Sequence, residues 1–175
     1  YLSQLVFTGV QIAGQMIDFQ VGFSMAQAYD PTIQMNVSQY GKTYYWLAVG
    51  TFFTLNLHHR LISALLASFS IVPLGTVQIS GTTIEGVVRL FSQMMEMALN
   101  LAAPIILTLL MVDLVLGVIS RSIPQINVLM MSLSLKTALS FIIFLMLLPN
   151  AITFLSKQLP DTIKYLQEFM TSLKS

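Results

Sequence analysis

From Gln4 onward, polar and small residues recur at Gln4, Thr8, Gln11, Gln15, Asp18 and Gly22. Steps of three and four residues place them along one side of an α-helix. Leu5, Ile12, Met16, Phe19 and Phe23 fall on the other side. The pattern predicts a helix over about 2–29, roughly 40 Å long at about 1.5 Å rise per residue. Asp30-Pro31 should stop it, because proline drives the residue before it out of the α region. Beyond the stop, Ile33, Met35 and Val37 alternate with Gln34, Asn36 and Ser38. A period of two means extended backbone. The expectation is therefore a long amphipathic helix that delivers an uncharged, extended loop, residues 32–39, to its end.

The same kind of reading continues down the chain. Residues 43–72 carry no Lys, Arg, Asp or Glu except Arg60, in the run His58-His59-Arg60. The join at Asn56–Arg60 could be the turn of a hairpin, but it has no glycine or proline, which favours one continuous, bent helix. The paired histidines stand about 100° apart on a helix with no HExxH pattern or carboxylate beside them, so no metal site is expected. Pro73-Leu74-Gly75 closes this segment. Thr82 with Glu85 fits a capping box, and Glu85, Arg89, Gln93, Glu96 and Asn100 form a second polar stripe, consistent with a solvated face.

Residues 97–119 are apolar, with a kink expected at Pro104 and one charge, Asp113. Arg121, Pro124 and Gln125 mark a turn, and residues 127–148 carry one charge, Lys136. Asp113 and Lys136 lie eleven and twelve residues from Pro124 on opposite sides. If the turn is tight, the two helices are antiparallel and the charges meet at similar depth as a buried ion pair. Pro149 should end that run. The tail is amphipathic at helical spacing (Ile152, Leu155, Leu159, Ile163 or Leu166), suited to a partner or a membrane surface.

Composition decides what environment these helices need. Of 175 residues, 55% are hydrophobic and 9% charged, with mean hydropathy +0.78; a soluble domain carries about 25% charged residues. The chain must be embedded in a membrane or wrapped by apolar neighbours. Glutamines arrayed along a greasy helix then point to protein partners or enclosed water. Net charge +1 gives no reason to expect nucleic acid. There is no cysteine, hence no disulfide framework and no thiolate metal site. Eleven methionines provide adaptable surfaces. The chain opens on Tyr1 inside a helical pattern, with neither a basic leader nor a cleavage site ahead, so an upstream part is expected.

Three blocks resemble the FliR family of flagellar type III export-gate proteins. One is Ala13-Gly14-Gln15 through Asp18, Gln20, Gly22-Phe23-Ser24 to Asp30-Pro31. The second is His59, Leu61-Ile62, Ser68-Phe69, Pro73 and Gly75. The third is Asp113, Gly117, Arg121, Pro124-Gln125, followed by Lys136. They occur in order over about 5–148. One departure is Gln15, where the family often has glutamate; a role that needs that charge is not carried over.

The resemblance implies an all-α, polytopic membrane-type protein of long bent helices and helical hairpins, packed inside a helical hetero-oligomeric gate. It implies a FliP-like part over 1–81, a FliQ-like hairpin over 82–148 and an amphipathic C-terminal helix over 149–175. Implied partners are FliP- and FliQ-type subunits, an FlhB-type protein, unfolded flagellar export substrates and the lipid of the bacterial inner membrane at the flagellar basal body. The segment after Asp30-Pro31, with apolar Ile33, Met35 and Val37 at alternate positions, would be the plug of the closed pore. Gln11, Gln15, Asp18 and Gly22 would form a polar inter-subunit stripe. No enzyme, cofactor or metal is expected, since no GxSxG, HExxH or paired catalytic aspartates occur. A virulence-type secretion subunit is the nearest alternative. A small-solute carrier is a further one; it would need repeated charges at mid-depth, and only Asp113 and Lys136 qualify. A proton relay through that pair would need further titratable groups.

Overall fold

The helix α1, Gln4–Val21, is the element that the others pack around. The computed structural model describes residues 4–23, 38–71, 81–122 and 128–172, and among these every regular element is helical. After α1 come α2, Gln39–Thr54; α3, Leu57–Ile71; α4, Gly81–Ser122; and α5, Val128–Ser172. α1 lies chiefly against α2 and α4 and touches α5; α4 and α5 pack along each other. They run antiparallel, since Asp113 meets Lys136 while Arg89 meets Tyr165.

The buried stripe of α1 is Val6, Gly9, Val10, Ala13, Gly14, Ile17, Asp18 and Val21. It lies beside the expected polar stripe rather than opposite it, and the two share Asp18. Of the greasy side, Ile12, Met16 and Phe23 are partly buried against the core, while Phe19 is 73% exposed. Small residues explain the choice. Gly9 lets α1 approach α4 at Met94, and Gly14 lets it touch the backbone of α2 at Tyr40 and Gly41. Around them Val10, Ile17, Tyr44, Ile105, Leu109 and Leu155 are fully enclosed. Each such side chain contributes about 1.5–3 kcal/mol relative to exposure. Phe144 of α5 packs between Tyr40 and Tyr44 of α2, at 5.0 and 5.2 Å between ring centroids.

Three expected boundaries shift. α1 does not run on unbroken toward residue 29: Gly22 takes φ +101°, which ends the α conformation although its N–H still reaches the Asp18 carbonyl at 3.1 Å. Residues 24–29 lie outside the described residues. Segment two is two helices, because Asn56 adopts φ 54° just after the α2 C-cap, Leu55. Asparagine tolerates that left-handed conformation better than most residues with a Cβ, a stop signal weaker than glycine and absent from the reading above. α5 runs through both Pro149 and Pro160, so the stop expected at Pro149 does not occur. α4 likewise runs through Pro104. The tail stripe packs on the chain itself, with Leu155, Leu159 and Ile163 in the main core. α4 begins at Gly81, one residue before the expected cap.

Serine and threonine hydroxyls largely bond back to carbonyls three or four residues earlier on their own helix, as at Thr8, Thr51, Thr108, Ser134, Thr153 and Ser156. A helix that satisfies its polar atoms internally can face hydrocarbon or an apolar partner without leaving an unpaired group. The outward surface fits that need. Residues 84–122 and 130–166 are each long and apolar enough to cross a membrane, and only 22% of the most apolar stretch of each is buried. Leu107, Met111, Leu114, Val118, Phe141 and Met146 stand 57–74% exposed.

Candidate functional site

Phe23 and Ser38 flank residues 24–37 in the sequence, and the structure brings Phe23 and the start of α2 together. The rings of Phe23 and Tyr40 stack with centroids 6.3 Å apart and planes 17° from parallel. Ser38 is the N-cap of α2: its Oγ accepts from the Gly41 N–H at 2.7 Å and donates to Asp18 Oδ2 in a very short contact. The Tyr40 N–H also points at Asp18 Oδ1, at 3.4 Å. A carboxylate from α1 thus caps α2, where the helix dipole favours negative charge. Burial pushes the Asp18 carboxyl above the usual carboxylate range, while the Ser38 hydroxyl and the backbone N–H groups of Tyr40, Gln39 and Gly41 pull against it. Gly14 and Gly41 touch backbone to backbone one turn away.

Two further ties bind this base to the long helices. The Tyr40 hydroxyl donates to Ser140 Oγ of α5 at 2.8 Å, and Ser140 is fully buried. Gln20 Nε2 donates to Asp113 Oδ2 of α4 at 3.0 Å. The same carboxylate receives Lys136 Nζ of α5 at 2.8 Å on Oδ1 and 3.0 Å on Oδ2. Asp113 therefore gathers three helices at one point. Burial also pushes the Tyr44 phenol up to about 12, so it stays a neutral donor, directed at the Leu101 carbonyl 3.5 Å away.

The residues singled out in the sequence fall as follows. Asp18 is 7% exposed and spent within the chain, so it is not part of a free inter-subunit stripe. Gly22 is half-buried beside Leu133 and serves conformation. Gln11 is half-buried and Gln15 exposed. Asp113 and Lys136 meet, but their side chains keep 37% and 14% exposure, so the pair is half-open rather than sealed. Arg121 is exposed in the last turn of α4. Pro124, Gln125, Asp30, Pro31, Ile33, Met35 and Val37 lie outside the described residues; Gln39, taken as loop, is the first residue of α2. The rings of His58 and His59 lie 4.1 Å apart between centroids and are tilted by 40°. Among the described residues no group of three His, Asp or Glu is placed to hold a metal ion.

Sequence reading missed Ser38, Tyr40, Gly41 and Ser140. A serine followed by a helical pattern was a usable signal for the first; nothing links Tyr40 to a serine 100 positions away.

Replacing Asp18 tests the base directly. Asp18→Ala should cost about 1.5–3 kcal/mol, the range for hydrogen bonds to a charged group. Asp18→Asn should cost less, because its amide oxygen still accepts. Thermal unfolding of the purified assembly reads the difference; equal melting of both variants and wild type would mean the cap carries no stability.

Comparison with known proteins bears on the whole chain. The model of bacterial export proteins, family 1, matches residues 1–161. The flagellar biosynthetic protein FliR of Bacillus subtilis is 32% identical over 147 residues, 82% of this chain and 57% of that protein. The FliR of Aquifex aeolicus is 32% identical over 175 residues, 99% of this chain and 67% of its own length. Yop proteins translocation protein T of Yersinia pestis is 26% identical over 142 residues, 80% of this chain and 54% of that protein. The chain thus spans between about half and two thirds of each of these relatives. By the reach of the family model and by identity sustained along its length, the chain belongs to the FliR family of bacterial export proteins.

Proposed function

We propose that this chain is a subunit of the type III protein-export gate of the bacterial flagellum. With FliP- and FliQ-type subunits it forms a closed channel in the inner membrane at the basal body, and an FlhB-type protein attends it. Unfolded flagellar proteins are its cargo. Residues 32–37 act as the plug, with Ile33, Met35 and Val37 sealing against ions. Residues 1–81 take the FliP-like part and 82–148 the FliQ-like hairpin. The one observation that carries this reading is the base of segment 24–37, whose ends are stacked and capped together on a packed three-helix scaffold. The exposed apolar faces of α4 and α5 supply the second requirement, surfaces for neighbours.

Similarity to a Yop translocation protein favours a virulence-type secretion gate as the second reading. A small-solute carrier has less support, since the Asp113 carboxylate is already engaged by Lys136 and Gln20.

Extraction tests the assignment. Co-expressed with candidate partners and solubilised in mild detergent, the chain should purify as a large complex with small polytopic subunits; recovery as a stable lone monomer would overturn it. Replacing Gln11 and Gln15 together with leucine should reduce assembly or export, because polar neighbours of these two α1 amides would lose their partners. Wild-type export and complex yield in that variant would show that this side of α1 has no polar neighbour.

A further inference from the structure

Gln93 stands apart from the rest of its stripe. Glu85, Arg89, Glu96 and Asn100 of α4 are exposed, as a solvated face requires, but Gln93 is half-buried and its Oε1 is enclosed. Among the described residues no donor lies within hydrogen-bond reach of that oxygen. An amide oxygen shut away without a donor carries the full cost of its lost hydration. Turning the amide over would put an N–H₂ group in the same place, with the same need for a partner.

A small cavity lies against this amide. Val6 of α1, Leu90, Met94 and Met97 of α4, and the two polar side chains Gln93 and Thr162 line about 10 Å³. That is at the lower bound of the roughly 10–15 Å³ that one water needs. The surroundings are interior: Val6, Leu90, Met94, Met97 and Thr162 are all buried, and α1 closes over α4 where Gly9 meets the Met94 backbone. The Thr162 hydroxyl donates to the Gln158 carbonyl at 3.0 Å, which leaves its oxygen able to accept. A purely apolar hollow of this kind stays dry; two polar groups on opposite helices make it a hydration site. Nothing larger than water fits, and no charged side chain lines the cavity to hold an ion.

We infer that one ordered water molecule binds here, donating to Gln93 Oε1 and to Thr162 Oγ1. It completes Gln93 and ties α4 to α5 beneath α1. Gln93 lies twenty residues before Asp113 on the same helix, roughly 30 Å away at about 1.5 Å per residue. The two long helices are thus pinned by a polar joint toward each end of their contact, an ion pair at one and a water bridge at the other.

The test uses the intact complex and is independent of the gate reading. In a density map that resolves ordered water, a peak should lie at about 2.7–3.2 Å from both the Gln93 and Thr162 side chains. A map that shows other enclosed waters but none here, or the Gln93 amide turned out to solvent, overturns the inference. X-ray radiolysis gives a second readout, because hydroxyl radicals formed from an enclosed water attack the side chains beside it, and methionine sulfur oxidises readily. Met94 and Met97 are 5% and 4% exposed, yet both should be oxidised in the irradiated wild type. Most of that oxidation should be lost in Gln93→Leu and in Thr162→Val, each of which removes one polar partner, while oxidation elsewhere in the complex stays the same. Met94 and Met97 left unoxidised in the wild type, or oxidised equally in both variants, would refute the water. If one variant fails to assemble, the other and the wild-type map still decide.

Discussion

Removing residues 32–37 is expected to leave the complex assembled and the membrane permeable to small ions. The geometry at the base makes this deletion cleaner than most. Phe23 and Tyr40 already touch, so the remaining residues 24–31 have to bridge little distance. At about 3.3–3.6 Å per residue, eight residues reach well over 20 Å. Shortening a connection by about half changes its closure entropy by only about 0.6 kcal/mol. Ser38 and Gln39 must stay, because Ser38 caps α2 and pairs with Asp18. What is lost is the run containing Ile33, Met35 and Val37. Ion flux through membranes carrying the complex, compared at equal complex content, checks the result. Normal assembly with unchanged flux would end the plug interpretation.

Gly14→Ala is expected to have the largest structural effect of a methyl added at any of the described glycines. The new carbon would fall on backbone atoms of Gly41 and Tyr40. Backbone cannot yield as a side chain tip can, so α1 and α2 must part. The cost should sit at or above the upper end of the 1–3 kcal/mol, roughly, that overpacking carries. Parting also pulls Asp18 from Ser38, and the loss then reaches the base of the segment. Gly50→Ala is the matched control, in the same packed pair of helices but with nothing within 4 Å of its added carbon. On a helix it should be neutral or stabilising by up to about 1 kcal/mol. Yield and melting temperature of the complex compare the two. Similar values would mean that α1 and α2 do not approach as closely as described.

The sequence patterns located the helices, and did so for a physical reason. Polar spacing, proline and long apolar runs are local signals, and so is the pairing of Asp113 with Lys136 across a short turn. Which side of α1 would be buried was not legible. Its stripe of glycine, alanine and valine has less hydrophobic weight than the Leu5–Phe19 side, yet small residues win because they permit backbone contact with α2 and α4. The break at Asn56 was one of two readings and the less favoured one, because asparagine is a conditional stop. The base of segment 24–37 was invisible for another reason. Asp18 with Ser38, and Tyr40 with Ser140, are tertiary contacts between residues 20 and 100 positions apart. Asp18 looked like one more member of an outward stripe until α2 was placed over it.

The prolines inside α4 and α5 have a mechanical consequence. Proline has no N–H, so Pro104 deprives the Asn100 carbonyl, and Pro149 the Leu145 carbonyl, of its usual donor. Each is followed four residues later by a threonine whose hydroxyl turns back to the proline carbonyl, Thr108 at 2.8 Å and Thr153 at 2.9 Å, an arrangement that itself bends helices. In the antiparallel register fixed by Asp113 and Lys136, these two missing rungs fall within about a turn of each other. The paired rods therefore share one compliant cross-section, and flexing there would swing the arm bearing Lys136 and Ser140 while the far arm, anchored by Leu155 and Leu159, stays still.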